Sequence, residues 1–327
     1  MSTLLIYTGG TIGMVRNPEG SLIPFPISGL LSHMSEFKDR LQGQEISFVS
    51  MEPLKDSSNF TPNDWLLLRD LILVHHENHD NVLVLHGTDT MAYTASATSF
   101  LLSEFDKNIV FTGAQLPIGQ PNSDGESNLI DAFALLNELK LKQVKGKVLL
   151  SFGGKVFKGN RVSKLSSVLF DGFYGDQNVF KIEKIDSAIV CPDFKDVKKI
   201  ETNVTLIKMH PGIQLAKQTS HLIENLPRGI ILESFGTGNI PQNDAFINGL
   251  EKLIARGVMV LNISQCLDGH VDMGTYLTGI ALRKIGVIDG KNMTTEAALS
   301  KLMLVLSIPD EHIADLLANS IAGEIIK

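Results

Sequence analysis

Runs of β-branched and apolar residues that end in glycine or a polar cluster alternate with longer helix-compatible stretches along most of this chain. Leu4–Tyr7, Ile46–Val49, Val82–His86, Ile109–Thr112 and Val148–Phe152 read as strands. Between them, Thr61-Pro62-Asn63-Asp64 has the makings of a helix start: a capping threonine, a proline at the first helical position and an aspartate three residues on. Helices are expected over Thr90–Ser103 and Asn128–Leu141. Phe152–Asp186 breaks this rhythm, because Gly, Lys, Ser and Asp interrupt short apolar pieces in the manner of hairpins. Cys191–Asn203 is polar and aperiodic and reads as a linker. Strands then return at Val204–Met209, Gly229–Ser234 and Val258–Ile263, with helices at Gln242–Ala255, Met273–Lys284 and Thr294–Leu306. The expectation is a two-domain α/β protein. A larger N-terminal domain over 1–189 holds a mixed sheet flanked by helices, 190–200 is the linker, and 201–327 forms a smaller parallel α/β domain.

Composition narrows the function classes. The 327 residues are 43% hydrophobic and 20% charged, as in a soluble globular protein with room for two cores. A formal net charge of −7 argues against a general phosphate-backbone binder, so no nucleic-acid partner is expected. The basic strings Lys195–Lys199 and Leu139–Lys147 are short and interrupted, and read as solvated charges. No run approaches the roughly 18 apolar residues a bilayer span requires, and a strand begins at once where a leader's basic and apolar segments would stand. No membrane association is expected. Two cysteines, Cys191 and Cys266, without metal-ligand spacing fit a reducing cytoplasm.

Two threonines carry the chemistry. Thr11, in Gly9-Gly10-Thr11-Ile12-Gly13, and Thr88, in His86-Gly87-Thr88-Asp89-Thr90, each follow a strand and a glycine. Loops leaving the carboxyl ends of parallel strands converge on one crevice, so both hydroxyls can face one ligand. Neither loop has the spacing of a dinucleotide fingerprint or a Walker phosphate loop. The bland alternatives are a glycine-rich connection for the first and a helix cap at Thr88 or Asp89 for the second. Asp56-Ser57-Ser58-Asn59 reads alone as a turn held by side-chain-to-backbone bonds, and Lys164 alone as a solvated lysine. His75, His76 and His79 lack the zinc-protease spacing and sit where a helix C-terminus favours them. Asp171, Asp176 and Asp186 follow turns and look solvated.

The ordered pair of threonine motifs resembles the bacterial-type L-asparaginases, amidohydrolases that convert asparagine to aspartate and ammonia. The resemblance spans the chain: Thr8–Gly13, Asp56–Ser58, Leu85–Ala97, Thr112–Pro117, Gly159–Lys164, Gly236–Asn243 and Asn292–Leu302. The wording of Gly87–Ala97 is similar to the cytoplasmic type I branch. The resemblance implies Thr11 as the nucleophile that forms an acyl-enzyme. It implies Thr88, Asp89 and Lys164 as a second catalytic trio, and Asp56, Ser57 and Ser58 with Asp89 as the grip on the substrate's α-amino and α-carboxylate groups. A threonine hydroxyl needs a base or polarising network to attack, and a lysine of lowered pKa can serve. Backbone amides beside Gly87 or Ala114 are the candidate oxyanion donors, which places Ala114 among the substrate-binding residues. No metal or organic cofactor is implied. The implied assembly is a homodimer or a homotetramer built as a dimer of dimers, with sites at subunit boundaries.

Three departures stand out. Gly20–Pro24 lacks the tyrosine usual in the loop after the first motif, which leaves the partner of Thr11 open, and Tyr7 lies too early to be assumed. His270 stands at the stretch where exported relatives contribute a glutamate from an adjacent subunit. Glu233 stands where some cytoplasmic relatives carry an arginine at a regulatory asparagine site, so weak or absent homotropic activation is expected. Among alternatives, a mixed asparaginase-glutaminase differs by one methylene of substrate, worth only about 1–3 kcal/mol. The asparaginase-like subunit of a tRNA-dependent amidotransferase usually carries an extra N-terminal segment. A non-catalytic amino-acid sensor has no need of activated hydroxyls.

Overall fold

The computed structural model describes residues 2–16, 19–20, 22–24, 45–180, 192–309 and 311–326. They fall into two compact units, within Met1–Ile182 and within Glu183–Lys327. The boundary expected at 189–190 lies outside the described residues.

The strands of the first unit are β1 (Ser2–Gly9), β2 (Met14–Arg16), β3 (Leu22–Pro24), β4 (Glu45–Lys55), β5 (Asn81–Leu85), β6 (Asn108–Thr112), β7 (Val148–Phe152), β8 (Lys155–Lys158), β9 (Val162–Lys164) and β10 (Phe173–Gly175). Its helices are α1 (Pro62–His75), α2 (Met91–Leu101) and α3 (Gly125–Leu141). The main sheet runs β4-β1-β5-β6-β7-β8, with every neighbouring pair parallel except β7–β8. This is the mixed N-terminal sheet that the sequence leads one to expect. Every residue of β5 and β6 is buried. A strand covered on both faces needs continuous apolar content instead of alternation, which explains the unbroken apolar runs. Leu83, Leu85 and Val110 share a core with Leu129, Phe133 and Leu136 of α3.

Helix α1 starts at the expected capping box: the Thr61 N–H donates to Asp64 Oδ2 at 2.7 Å. Burial favours the protonated form of Asp64, but the Lys55 ammonium at 2.6 Å and the Thr61 donors outweigh it. Its pKa ends below the ordinary carboxylate value. Helix α3 starts at Gly125, earlier than its apolar period indicates, and this puts Asn128 inside the helix. The Asp176 side chain, read as solvated, is instead only 7% exposed and lies 3.0 Å from the Lys158 ammonium, with Arg161 Nε at 3.7 Å. The two cations lie far enough back in sequence that local composition does not reveal the pairing. Asp171 is exposed and paired with Lys155, and Asp186 lies outside the described residues.

The second unit holds β11 (Val204–Lys208), β12 (Gly229–Ser234), β13 (Met259–Ser264) and β14 (Ile288–Asp289) as one parallel sheet in that order. Its helices are α4 (Leu215–Glu224), α5 (Asp244–Ala255), α6 (Leu277–Lys284), α7 (Thr295–Val305) and α8 (Ile313–Ala318). Helix α6 begins four residues later than expected. The Asp272 carboxylate accepts from the Gly274 N–H and the Thr275 hydroxyl, which closes a turn in place of the first helical turn. Residues 192–203, within the segment expected to be a linker, bury Phe194, Val197 and Ile200. Charged neighbours hide that three-residue spacing in the sequence. The Lys301–Glu324 ion pair is 2.5 Å long and wholly buried, and joins α7 to the segment after α8. No helix among the described residues is long and apolar enough to cross a membrane.

Candidate functional site

Parallel pairing puts the carboxyl ends of β4, β1, β5 and β6 along one edge of the sheet, and the loops leaving them enclose a cleft of about 220 Å³. After β1 it is lined by Gly10, Thr11 and Met14, after β4 by Asp56 and Ser57, and after β5 by Gly87, Thr88 and Asp89. Gln115 follows β6, and Lys164 and Ser167 come from the hairpin that starts with β9.

The first two loops meet backbone to backbone. Gly10 has φ 85° and ψ 169°, a region nearly restricted to glycine. A Cβ there would lie 2.3 Å from the Gly87 nitrogen, and one on Gly87 would lie 2.5 Å from Ser57 Oγ. Glycine at both positions therefore sets how closely the Thr11 and Thr88 loops approach. Below them Tyr7 is fully buried and donates its hydroxyl to the Gly13 carbonyl at 2.9 Å, which ties the end of the Thr11 turn to its own strand.

Lys164 Nζ lies 2.8 Å from Thr88 Oγ1 and 2.7 Å from Asp89 Oδ1. Its side chain is 18% exposed, so it is not a solvated surface lysine, whereas Asp89 is 60% exposed. Neither Thr88 nor Asp89 caps α2. Thr90 holds the cap position and sends its hydroxyl to the Ser57 carbonyl at 2.7 Å, locking the Asp56–Ser58 turn to the Thr88 loop. Asp56 accepts from the Ser58 N–H at 2.8 Å and from the Ser58 hydroxyl at 2.9 Å. Ser58 is thus turned to Asp56 and does not line the cleft, nor does Ala114, which is buried in the core beneath it. No side chain among the described residues hydrogen-bonds the Thr11 hydroxyl; Ser21 lies outside them.

Gln115 and Ser167 also line the cleft; Gln115 lies in the Thr112–Pro117 stretch but its sequence neighbours give it no role, and nothing in the sequence singles out Ser167. His86 is another residue that sequence reasoning passes over. Its ring is wholly buried, with centroids 4.4 Å from Phe60 and 6.2 Å from Phe111. Nδ1 lies 2.8 Å from the Gly87 carbonyl, which can only accept, so Nδ1 carries the proton. Burial disfavours the cation and pushes its pKa down to about 4, leaving a neutral ring under the Thr88 loop at ordinary pH. The histidines of α1 serve the helix end: His76 Nδ1 lies 2.9 Å from the Leu73 carbonyl and His79 Nδ1 2.8 Å from the His75 carbonyl. Among the described residues no His, Cys, Asp and Glu group is arranged to hold a metal. In the second unit, Glu233 is buried on β12 with Lys208 Nζ at 2.9 Å, so its charge is already paired.

Comparison with known proteins gives a consistent result. Residues 2–191 match the family model "Asparaginase, N-terminal" and residues 203–314 match "Glutaminase/Asparaginase C-terminal domain". The chain is 35% identical to L-asparaginase 1 of Escherichia coli (strain K12), over 99% of this chain and 98% of the relative. Among solved structures, the thermostable L-asparaginase from Thermococcus kodakarensis superposes with a TM-score of 0.86 at 28% identity, covering 100% of both chains. L-asparaginase I from Vibrio cholerae gives 0.83 at 33% identity, covering 100% of this chain and 99% of that one.

Proposed function

Because this chain belongs to the asparaginase family of amidohydrolases, we propose that it hydrolyses L-asparagine to L-aspartate and ammonia, with Thr11 as nucleophile and Thr88, Asp89 and Lys164 as the second catalytic trio. One observation carries this reading: Thr11 and the bonded Thr88–Lys164–Asp89 group face a single cleft. In the proposed reaction Thr11 Oγ bonds to the side-chain amide carbon while its proton passes into the hydroxyl and amine network. The tetrahedral oxyanion collapses, the C–N bond breaks, and the nitrogen leaves as ammonia after taking up a proton. Water then attacks the acyl-threonine ester, and aspartate departs as the Thr11 hydroxyl is restored. Asp56, Ser57 and Asp89 hold the α-amino and α-carboxylate groups. Ser58 acts through its bond to Asp56, and the Ala114 backbone lies next to the cleft-lining Gln115. A cleft of about 220 Å³ suits a single small amino acid.

The reading is tested by incubation with asparagine and assay of ammonia and aspartate. Thr11→Val and Thr88→Val each abolish turnover in a protein that still folds. Lys164→Met lowers kcat more than it raises KM. Near-native kcat in any of the three removes that residue's role. The match of residues 203–314 to a glutaminase/asparaginase C-terminal domain favours a mixed asparaginase-glutaminase as the alternative. A steady-state comparison of the two amides decides, since one methylene changes binding by only about 1–3 kcal/mol. We place the enzyme in the cytoplasm, where an exposed free thiol such as Cys266 stays reduced. We also take it to be a homodimer or dimer of dimers. Leu141 at 84% exposure and Leu277 at 85% are apolar surface that self-association would cover, and sedimentation gives the subunit number.

A further inference from the structure

Opposite the Thr11 loop, the cleft wall rests on a chain of hydrogen bonds centred on one amide. Asp124, buried at the start of α3, accepts the Gln115 N–H at 3.0 Å and the Leu116 N–H at 2.9 Å. Asn128, one helical turn on, donates to Asp124 at 3.1 Å and to the Gly113 carbonyl at 3.0 Å, and accepts the Gly153 N–H at 2.9 Å. The backbone after β6 is therefore held on both sides of Ala114, and the Gln115 side chain leaves a fixed base. Its Nε2 donates to the Ser166 carbonyl at 3.3 Å and the Leu169 carbonyl at 3.2 Å. Its Oε1 lies 3.4 Å from Thr88 Oγ1.

We infer that Gln115 is a positioning residue, which braces the 165–170 hairpin so that Lys164 stays on Thr88 and directs the Thr88 hydroxyl proton; this rests on the function proposed above. The donor inventory supports it. Whenever a Lys164 N–H donates to Thr88 Oγ1, the threonine proton needs an acceptor other than that nitrogen, and Gln115 Oε1 supplies one. Beyond the β9–β10 ladder, the Leu165 and Ser166 N–H groups close the hairpin onto the Gly172 carbonyl, which leaves residues 167–170 as its outer tip. Leu165, Val168, Leu169 and Phe170 are exposed, and the Ser166 hydroxyl bonds only its neighbours, the Val168 and Leu169 N–H groups. Without the Gln115 amide, the wall carrying Lys164 and Ser167 has less to hold it against the Thr88 loop.

Gln115→Met keeps the length of the side chain and removes both its donors and its acceptor. Its expected effect on asparagine hydrolysis is a fall in kcat of about ten- to hundredfold, the scale of a small misplacement of reacting groups. KM stays within about threefold, because Asp56, Ser57 and Asp89 are untouched, and the melting temperature stays near that of the unsubstituted protein. Hydrogen exchange at the Val168 and Leu169 amides rises at least about tenfold. A defect that merely loosened the fold would move the melting temperature and KM together. If the unsubstituted protein releases ammonia and Gln115→Met keeps kcat within about threefold, the positioning role is refuted while the functional proposal stands. If the unsubstituted protein releases none, the functional proposal fails. The exchange measurement then still decides, because unchanged protection of residues 168 and 169 overturns the brace.

Discussion

Replacing Gly10 by alanine tests whether the contact between the first two loops sets the site. The new methyl would lie 2.3 Å from the Gly87 nitrogen and 2.4 Å from the Gly87 Cα, both backbone atoms that no rotamer change can move aside. Restoring an ordinary contact of about 3.4 Å separates the loops by about 1 Å. Two costs follow. The backbone at φ 85° and ψ 169° costs a non-glycine residue about 1–3 kcal/mol, and the overlap costs about 1–3 kcal/mol more. Gly212→Ala is the control, since that glycine also has positive φ but nothing within 4 Å of its Cβ position. It carries a backbone cost alone, about 1–2 kcal/mol. Urea unfolding followed by circular dichroism measures both variants. Gly10→Ala is expected to be the less stable by at least about 1 kcal/mol. Ammonia release adds the functional half: a displacement of 1 Å between Thr11 and Thr88 costs on the order of a hundredfold in kcat, while Gly212→Ala turns over normally. If Gly10→Ala is as stable as the control and keeps kcat within about threefold, the close approach of the loops does not determine the site.

Three further outcomes are expected. Lys301→Met removes the cation from the fully buried Glu324 carboxylate, which keeps the Ile321 and Ala322 N–H groups and the Ser320 hydroxyl, and costs about 3–5 kcal/mol, measured by denaturant unfolding. His86 has a folded pKa of about 4 against an ordinary 6.5, so between those values the unfolded chain binds more protons than the folded one. Stability therefore falls by about 3 kcal/mol as pH drops from 6.5 to 4 and is insensitive to this group above 6.5. His86→Phe removes that part of the acid slope, and an unchanged slope would show that burial of this ring is not its source. Because Glu233 has the wrong charge for a carboxylate clamp and is engaged by Lys208, the rate curve against asparagine is expected to be hyperbolic. A sigmoidal curve would contradict this.

Local features of the chain are legible where one residue's neighbours in sequence are also its neighbours in space. Thr61 and Asp64 form a capping box within one turn. The unbroken apolar runs of β5 and β6 report strands covered on both faces, and glycine before each threonine reports a backbone that must turn at a strand end. The α/β class and the convergence of the Thr11 and Thr88 loops on one cleft follow from such patterns, whereas Asp56 and Ser57 read locally as a turn and enter the site only through the family resemblance. Tertiary structure decided everything that depends on partners far along the chain. Asp176 cannot be told from a solvated carboxylate until Lys158 and Arg161 are folded against it. Phe194, Val197 and Ile200 look like linker residues until a core receives them. Helix α4 does carry a local signal, with Leu215, Thr219 and Leu222 at helical spacing, but Gln214 gives no capping side chain to mark its start. Gln115 is an ordinary loop amide in the sequence. Only the adjacency of β5 and β6, and the return of the hairpin carrying Lys164, give it Thr88 on one side and two carbonyls on the other. Periodicity and capping act over three or four residues, whereas hydrogen bonds and burial in a parallel sheet join segments dozens of residues apart, so the second kind of information exists only once the chain has closed on itself.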